Sequence, residues 1–226
     1  MTTDAKNSRF VDEVIQDIIQ PGVEQLMDSR YFTDLRSGKL TTRRLQGFSI
    51  QHYIHNMGVL KLAALGAVQR ATDDGAFLGV VGALNEEVAH PVMARKFGLA
   101  LGLTEADFDR ATPAYGCLLH TAACLHGVFL GGSIDLLTLL LSNETMVQRY
   151  ATEFNTYLRE HYDVPEDAME FFTVHMGADI EHTARSANTI AVMATSDEDQ
   201  ERVRVMCRNM ARLKLGKFDS IYEEYA

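Results

Sequence analysis

The chain of 226 residues is acidic, with 31 aspartate and glutamate residues against 21 lysine and arginine residues and a net charge of −10. No segment concentrates basic residues. A nucleic-acid-binding protein needs such a surface to displace the counterions of phosphate groups, so that class is excluded. Hydrophobic residues make up 46% and charged residues 23%, as is typical of globular proteins. The length suits one domain, which we expect to span residues 1–226, with residues 1–8 as a flexible N-terminus.

Helical periodicity runs through the sequence, without a convincing strand. In the first predicted helix, apolar residues recur at positions 11, 14, 15 and 18, which is the spacing of one helix face. Capping residues, prolines and glycines set the boundaries of the other helices. The predicted main helices span about residues 11–28 with a kink at Pro21, 42–71, 76–101, 113–130, 133–161, 165–194 and 196–222. The sequence therefore predicts an all-α fold, a single bundle of seven main helices, with a short capped helix after Thr104.

Cysteine content and hydropathy predict where the protein is found. Three cysteines are too few for a disulfide framework, and the first ten residues lack the apolar core of a signal peptide. The most apolar stretch, residues 114–141, is interrupted by histidines, a glycine pair and an aspartate, so we expect no membrane span. These features predict a cytoplasmic protein.

The strongest chemical pattern is His175-x3-Asp179-x2-His182 in a predicted helix. Residues at i, i+4 and i+7 lie on one helix face, so two imidazoles and a carboxylate share a face that small and apolar residues surround. Such groups are costly to bury unless they are paired or bind a metal ion.

Two other segments carry the same kinds of ligand. Glu87 and His90 have the Glu-x-x-His spacing with which helical bundles present a carboxylate and an imidazole to iron. Glu86 is an alternative to Glu87, because i, i+4 spacing also suits His90. Glu144 follows a leucine-rich segment and needs a partner of its own. Nitrogen and oxygen ligands without thiolate favour iron or manganese over structural zinc, although any one of these residues alone is more often a satisfied core group.

Together these motifs resemble those of the haem-oxygenase-like diiron oxidases, a family that includes a fatty-acid decarboxylase and para-aminobenzoate-forming proteins. Its members share a seven-helix bundle with haem oxygenase, thiaminase II and the PQQ-synthesis oxidase. The resemblance implies one or two non-haem irons, Fe(II)/Fe(III), with O2 as co-substrate and a peroxo-diiron intermediate. It also implies a small carboxylate substrate, a fatty acid or an amino acid. The metal ligands that it implies are Glu87, His90, Glu144, His175, Asp179 and His182.

One position departs from the para-aminobenzoate-forming members, which have their first glutamate seven residues before the histidine. Here that position is Ala83, so their self-sacrificing chemistry is not expected to carry over. No haem-binding histidine is evident near the N-terminus, which disfavours haem degradation.

Secondary candidates are less specific. Lys61 and Arg185 are candidates to bind a substrate carboxylate, but Lys61 could equally extend to water and Arg185 could pair with an acid. Tyr53 and His55 are candidates to contact substrate, against a simple packing role. On the predicted fourth main helix, Cys117, His120 and Cys124 share a face that could bind a soft metal, but small buried residues are the favoured interpretation.

Two other functions remain open at this stage. A thiaminase-II-like hydrolase or cofactorless oxidase would need a nucleophilic cysteine and no metal. A non-catalytic binding protein would retain the bundle without turnover. For a bundle of this size a homodimer is the default expectation.

Overall fold

The computed structural model describes the backbone of residues 3–69 and 74–226. The side chains of residues 3–8, 67, 69, 74–76, 79, 80, 83 and 178–182 lie outside this description. Within the described ranges the chain forms α-helices and no strand, which confirms the all-α prediction. In these same ranges no helix is both long enough and apolar enough to cross a membrane.

The helices are, in chain order, α1 (Thr3–Val14), α2 (Gln20–Met27), α3 (Arg30–Arg36), α4 (Thr42–Gln69), α5 (Asp74–Glu87), α6 (His90–Ala100), α7 (Glu105–Asp109), α8 (Tyr115–Phe129), α9 (Ser133–His161), α10 (Glu170–Met193) and α11 (Asp197–Glu224). A π-helical turn, Ile15–Ile19, joins α1 to α2. A 3-10 turn, Glu166–Ala168, precedes α10. Helix α1 includes part of the segment that was expected to be a flexible N-terminus.

Prolines explain where the helices differ from the prediction. The helix predicted over 76–101 is two helices, α5 and α6, because Pro91 lies in the first turn of α6 and its missing N–H cannot continue a helix. The kink predicted at Pro21 takes the form of the π-helical turn before α2. Pro165 does not open a long helix: it precedes the 3-10 turn, and α10 begins five residues later. The count of seven main helices is therefore approximate.

Aromatic rings hold the centre of the bundle together. Phe48 of α4 lies 4.6 Å from Phe154 of α9 and 5.8 Å from Phe218 of α11, measured between ring centroids. Phe172 of α10 stacks on Phe154 at 4.6 Å. Four helices thus meet in one apolar cluster, which fixes their relative positions and those of the residues one turn away. His52, one turn after Phe48, packs on it at 5.0 Å.

Helices α8 and α11 approach each other closely at two glycines. A Cβ atom at Gly116 would lie 2.1 Å from the carbonyl oxygen of Gly216, a distance that no real contact allows. The Gly116 N–H donates to Ser220 Oγ at 2.9 Å. Because a backbone atom cannot move aside as a flexible side chain can, position 116 accepts only glycine.

We expect Gly116→Ala to lower the free energy of unfolding by about 1–3 kcal/mol, since the new methyl group separates α8 from α11. Gly216→Ala is the matched control, because a Cβ atom there meets no described atom within 4 Å. Replacing this helical glycine should raise the free energy of unfolding by up to about 1 kcal/mol. Urea denaturation measures both values, and equal effects would contradict the close approach.

Candidate metal centre

The break between α5 and α6 brings Glu87 and His90 together. Glu87 ends α5 and His90 begins α6, and the Oε2 atom of Glu87 contacts Nδ1 of His90. The expected i, i+3 pair therefore lies across a helix break and not within one continuous helix. Glu86 is exposed and lies 3.9 Å from the guanidinium of Arg185. The structure thus associates Glu87, and not Glu86, with His90.

His175 of α10 is buried and faces the same place. Its Nδ1 lies 2.7 Å from the carbonyl oxygen of Phe171, and because a carbonyl oxygen only accepts, Nδ1 carries the proton. The lone pair of the ring then lies on Nε2, which is the nitrogen through which such an imidazole binds a metal ion, and the hydrogen bond fixes the ring orientation. The imidazoles of His175 and His90 are 4.5 Å apart between ring centroids. Two of the three sequence motifs therefore converge.

The remaining predicted ligands are only partly described. Glu144 lies on α9, which packs along α10, and its Oε2 atom is buried. Asp179 and His182 belong to α10, but their side chains lie outside the described residues. Their role as ligands, like that of Glu144, stays a prediction.

The candidate substrate-binding residues lie mostly outside the interior. Lys61 is exposed, as expected for a flexible ammonium that reaches water. Arg185 is also exposed and pairs with Glu86, which is the alternative that the sequence left open. Tyr53 is half-buried against Phe108, with ring centroids 5.2 Å apart. Only His55 is buried, and its Nδ1 hydrogen-bonds to Thr121 Oγ1 at 2.9 Å.

Buried histidines continue from the candidate metal centre into the bundle. The ring of Phe171 lies 4.0 Å from that of His175 and 4.3 Å from that of His52. The ring centroid of His52 lies 6.4 Å from that of His55, and the ring centroid of His55 lies 4.8 Å from that of His120 on α8. Five of the eight histidines and one phenylalanine thus form a row, which we call the histidine row: His90, His175, Phe171, His52, His55 and His120.

The inner half of the histidine row is uncharged. Burial lowers the pKa of His52, His55 and His120 well below the usual value, and the positive charges of Lys217 and Lys214 lower it further. All three imidazoles are therefore neutral at pH 7.

Sequence reasoning missed the two lysines that cause part of this effect. Lys214 and Lys217 of α11 are only 2% and 1% exposed. Lys214 Nζ donates to Asn143 Oδ1 at 2.5 Å. A signal was present, because both occupy positions of the repeating apolar stripe of α11, which consists of residues 203, 207, 210, 214, 217 and 221.

A second group of possible metal ligands lies at the inner end of the histidine row. The ligand atoms of His55, His120 and Cys124 are all within 4.8 Å of one another. The sequence had associated Cys117 with this group, but Cys117 Sγ instead lies 3.9 Å from the carbonyl oxygen of Lys217. Its place is taken by His55, which comes from α4 and which spacing along α8 alone does not reveal.

The three cysteines are free thiols. Burial raises the pKa of Cys117 and Cys207 to about 11 and also raises that of Cys124. A thiol with so high a pKa is protonated at neutral pH and is a poor nucleophile.

Comparison with known proteins places the chain in a family. A family model described as "Iron-containing redox enzyme" matches residues 46–217, which include all six predicted metal ligands. The chain belongs to this family of iron-containing redox enzymes. No curated protein matches the sequence.

Solved structures share the fold of this family member. A domain of unknown function with a haem-oxygenase-like fold from Shewanella denitrificans has a TM-score of 0.80 at 18% identity, covering 92% of this chain and 90% of that chain. A TenA homologue from Pyrococcus furiosus has a TM-score of 0.75 at 14% identity, with 94% and 99% covered. A CADD-like protein of unknown function from Nostoc punctiforme has a TM-score of 0.70 at 14% identity, with 96% and 95% covered. These similarities confirm the haem-oxygenase-like fold.

We expect Glu87→Gln to lower the amount of iron retained after anaerobic loading and desalting, because an amide is a poorer iron ligand than a carboxylate. Glu86→Gln, at the neighbouring exposed position, should retain as much iron as the unmodified protein. Elemental analysis measures both. The assignment of Glu87 is wrong if the two variants exchange these results.

Proposed function

We propose that the protein is a non-haem diiron oxidase or oxygenase that uses O2 to oxidise a small carboxylate substrate. The observation that carries this proposal is the convergence of Glu87 and His90 with the buried His175, whose ring orientation is fixed by the carbonyl oxygen of Phe171. Glu144, Asp179 and His182 are the further ligands that we propose. Bound iron would supply the activation of O2.

The donor set fits iron in charge and in chemical type. Three carboxylates offset much of the charge of two divalent ions, and carboxylates are able to bridge two metals. Imidazole and carboxylate ligands suit iron, whereas a structural zinc site is usually closed by four ligands rich in thiolate. Six protein ligands shared between two ions leave coordination positions for O2 and substrate.

The surrounding residues orient the ligands and exclude water. The carbonyl oxygen of Phe171 holds the proton on His175 Nδ1, so the imidazole keeps one tautomer and one orientation. The ring of Phe171 also packs against His90 at 5.9 Å. Because this ring also packs against His175 at 4.0 Å, it shields part of both imidazoles from solvent.

Anaerobic loading with Fe(II) followed by exposure to O2 tests the proposal. We expect about two iron ions per chain and O2 uptake that a carboxylic-acid substrate accelerates. His175→Ala should lose most of the iron and the O2 uptake, because it removes a ligand that the structure already orients. Glu160→Ala, at an exposed position on α9, is the control and should behave as the unmodified protein. Protein that stays free of iron under these conditions would refute the proposal.

A metal-free hydrolase is the second candidate, since several structural neighbours are TenA homologues. Such an enzyme needs an ionised thiol in its cavity, whereas burial raises the pKa of all three thiols here. The free thiols are compatible with the cytoplasmic location that we propose. The raised pKa values of these thiols favour a redox enzyme over a thiol hydrolase.

We therefore expect all three cysteines of the native protein to react slowly with a thiol reagent at pH 8. The pKa of about 11 for Cys117 and Cys207 leaves only about 0.1% of these thiols ionised at that pH, and burial raises the pKa of Cys124 as well. Reaction with Ellman's reagent should be at least about 100-fold slower than that of glutathione and should become fast in guanidinium chloride. A cysteine that reacts as fast as glutathione in the native protein would favour the hydrolase.

A further inference from the structure

Lys217 is a buried ammonium that has no counterion among the described residues. Within the described part of the chain it has no ion pair and no side-chain hydrogen bond, although it is almost completely enclosed. An unpaired buried charge is costly, so its presence in an apolar stripe calls for a ligand or a function. Burial lowers the pKa of Lys217, as this cost requires.

The position of Lys217 is fixed by the close approach of α8 and α11. It follows Gly216, whose carbonyl oxygen blocks any side chain at Gly116, and its own carbonyl oxygen contacts Cys117 Sγ. His120 and Thr121 lie one helical turn further along α8. The charge of Lys217 also lowers the pKa of His55 and His120, as expected for an ammonium close to the inner end of the histidine row.

Several polar groups in this region also lack partners. These groups are buried and form no hydrogen bond with any described residue. They are both ring nitrogens of His52, both ring nitrogens of His120, and Nδ2 of Asn56. Each neutral imidazole carries one N–H donor, and the amide nitrogen carries two. His52 and Asn56 share a face of α4 because they are four residues apart. Buried donors next to an ammonium are complementary to an acceptor with negative charge.

A cation is a poorer occupant of this place than an anion. His55, His120 and Cys124 have suitable ligand atoms for a soft metal, but binding a divalent ion there would add its charge to those of Lys217 and Lys214. Repulsion between like charges is strong where water is excluded. A carboxylate would instead neutralise charge and accept hydrogen bonds from the unpartnered donors.

We propose that Lys217, with His120 and Asn56, binds the carboxylate of the substrate and selects acids that carry no α-ammonium group. This inference rests on the proposed function, because it names the substrate class of the same enzyme. An α-ammonium group would lie one carbon from the carboxylate, where the two lysines repel it. Of the two substrate classes that the sequence left open, the buried charges favour fatty acids over amino acids.

The histidine row gives this site a defined relation to the metal centre. Neighbouring rings connect His120 to His175 through His55, His52 and Phe171. A carboxylate held at Lys217 therefore lies at the opposite end of the row from the metal ligands. The carbon that reacts is then remote from the carboxylate and not bonded to it.

Isothermal titration calorimetry of the full-length, iron-free protein with octanoate, dodecanoate and 2-aminooctanoate tests this inference. We expect one of the two fatty acids to bind at least about 10-fold more tightly than 2-aminooctanoate. Lys217→Met should weaken fatty-acid binding by about 10- to 100-fold, because it removes a charge-assisted hydrogen bond. Lys39→Met is the matched control at an exposed position and should bind as the unmodified protein does.

Thermal denaturation separates a binding role from a structural one. Without ligand, Lys217→Met should melt at a higher temperature, since a buried unpaired charge is replaced by an apolar chain of similar length. Should this variant fail to fold, Asn56→Leu provides the second test and should also weaken fatty-acid binding.

Three results would overturn the inference. They are fatty-acid binding that Lys217→Met leaves unchanged, binding of 2-aminooctanoate as tight as that of the fatty acids, and no binding of either fatty acid. Tight binding of Zn²⁺ that His120→Ala abolishes and Lys217→Met strengthens would identify a cation site instead. Iron loading is measured separately, so a protein that binds fatty acid through Lys217 but no iron would refute the proposed function alone.

Discussion

Burying charged and polar groups inside a helical bundle is the constraint on which the rest of this structure depends. An imidazole, carboxylate or ammonium loses its hydration in the interior and must recover that free energy from a partner. At the candidate metal centre the partners are visible for His175, whose Nδ1 is bound to a backbone carbonyl, and for His90, which contacts Glu87. At the inner end of the histidine row the described residues supply no such partners for His52 and His120. The first arrangement suits a metal and the second an anion.

The aromatic cluster at the centre of the bundle holds the helices that carry these buried polar groups. Phe48, Phe154, Phe172 and Phe218 hold four helices in fixed positions through ring contacts of 4.6–5.8 Å. Phe171 and Phe172 are neighbours in the sequence but point to different places, one towards His52 and His175 and the other into the aromatic cluster. One turn of α10 therefore couples the stability of the core to the orientation of His175, a predicted metal ligand.

The haem-oxygenase-like fold occurs in structural neighbours that include TenA homologues and proteins of unknown function, so the fold alone does not decide the chemistry. Here the proposed redox chemistry is argued from the ionisation of side chains. Burial keeps the thiols protonated, which disfavours a hydrolase that uses a cysteine nucleophile, and it keeps the inner imidazoles neutral. Neutral imidazoles and carboxylates remain, and such groups suit iron. The chain belongs to a family of iron-containing redox enzymes.

The sequence by itself determined the all-α class, most helix boundaries and the family, because helical periodicity and the spacing of His175, Asp179 and His182 are local properties. It also predicted that Glu87 and His90 act together, although the helix break between them followed from Pro91 and was missed.

Only the tertiary structure separated Glu86 from Glu87, brought His55 of α4 to His120 of α8, and placed Lys61 and Arg185 at the surface. The burial of Lys214 and Lys217 was likewise decided by packing, since the close approach of α8 to α11 encloses side chains that intrinsic preference would leave in water. Contacts between helices depend on how the whole bundle packs, and the spacing of residues along a single helix carries no record of them.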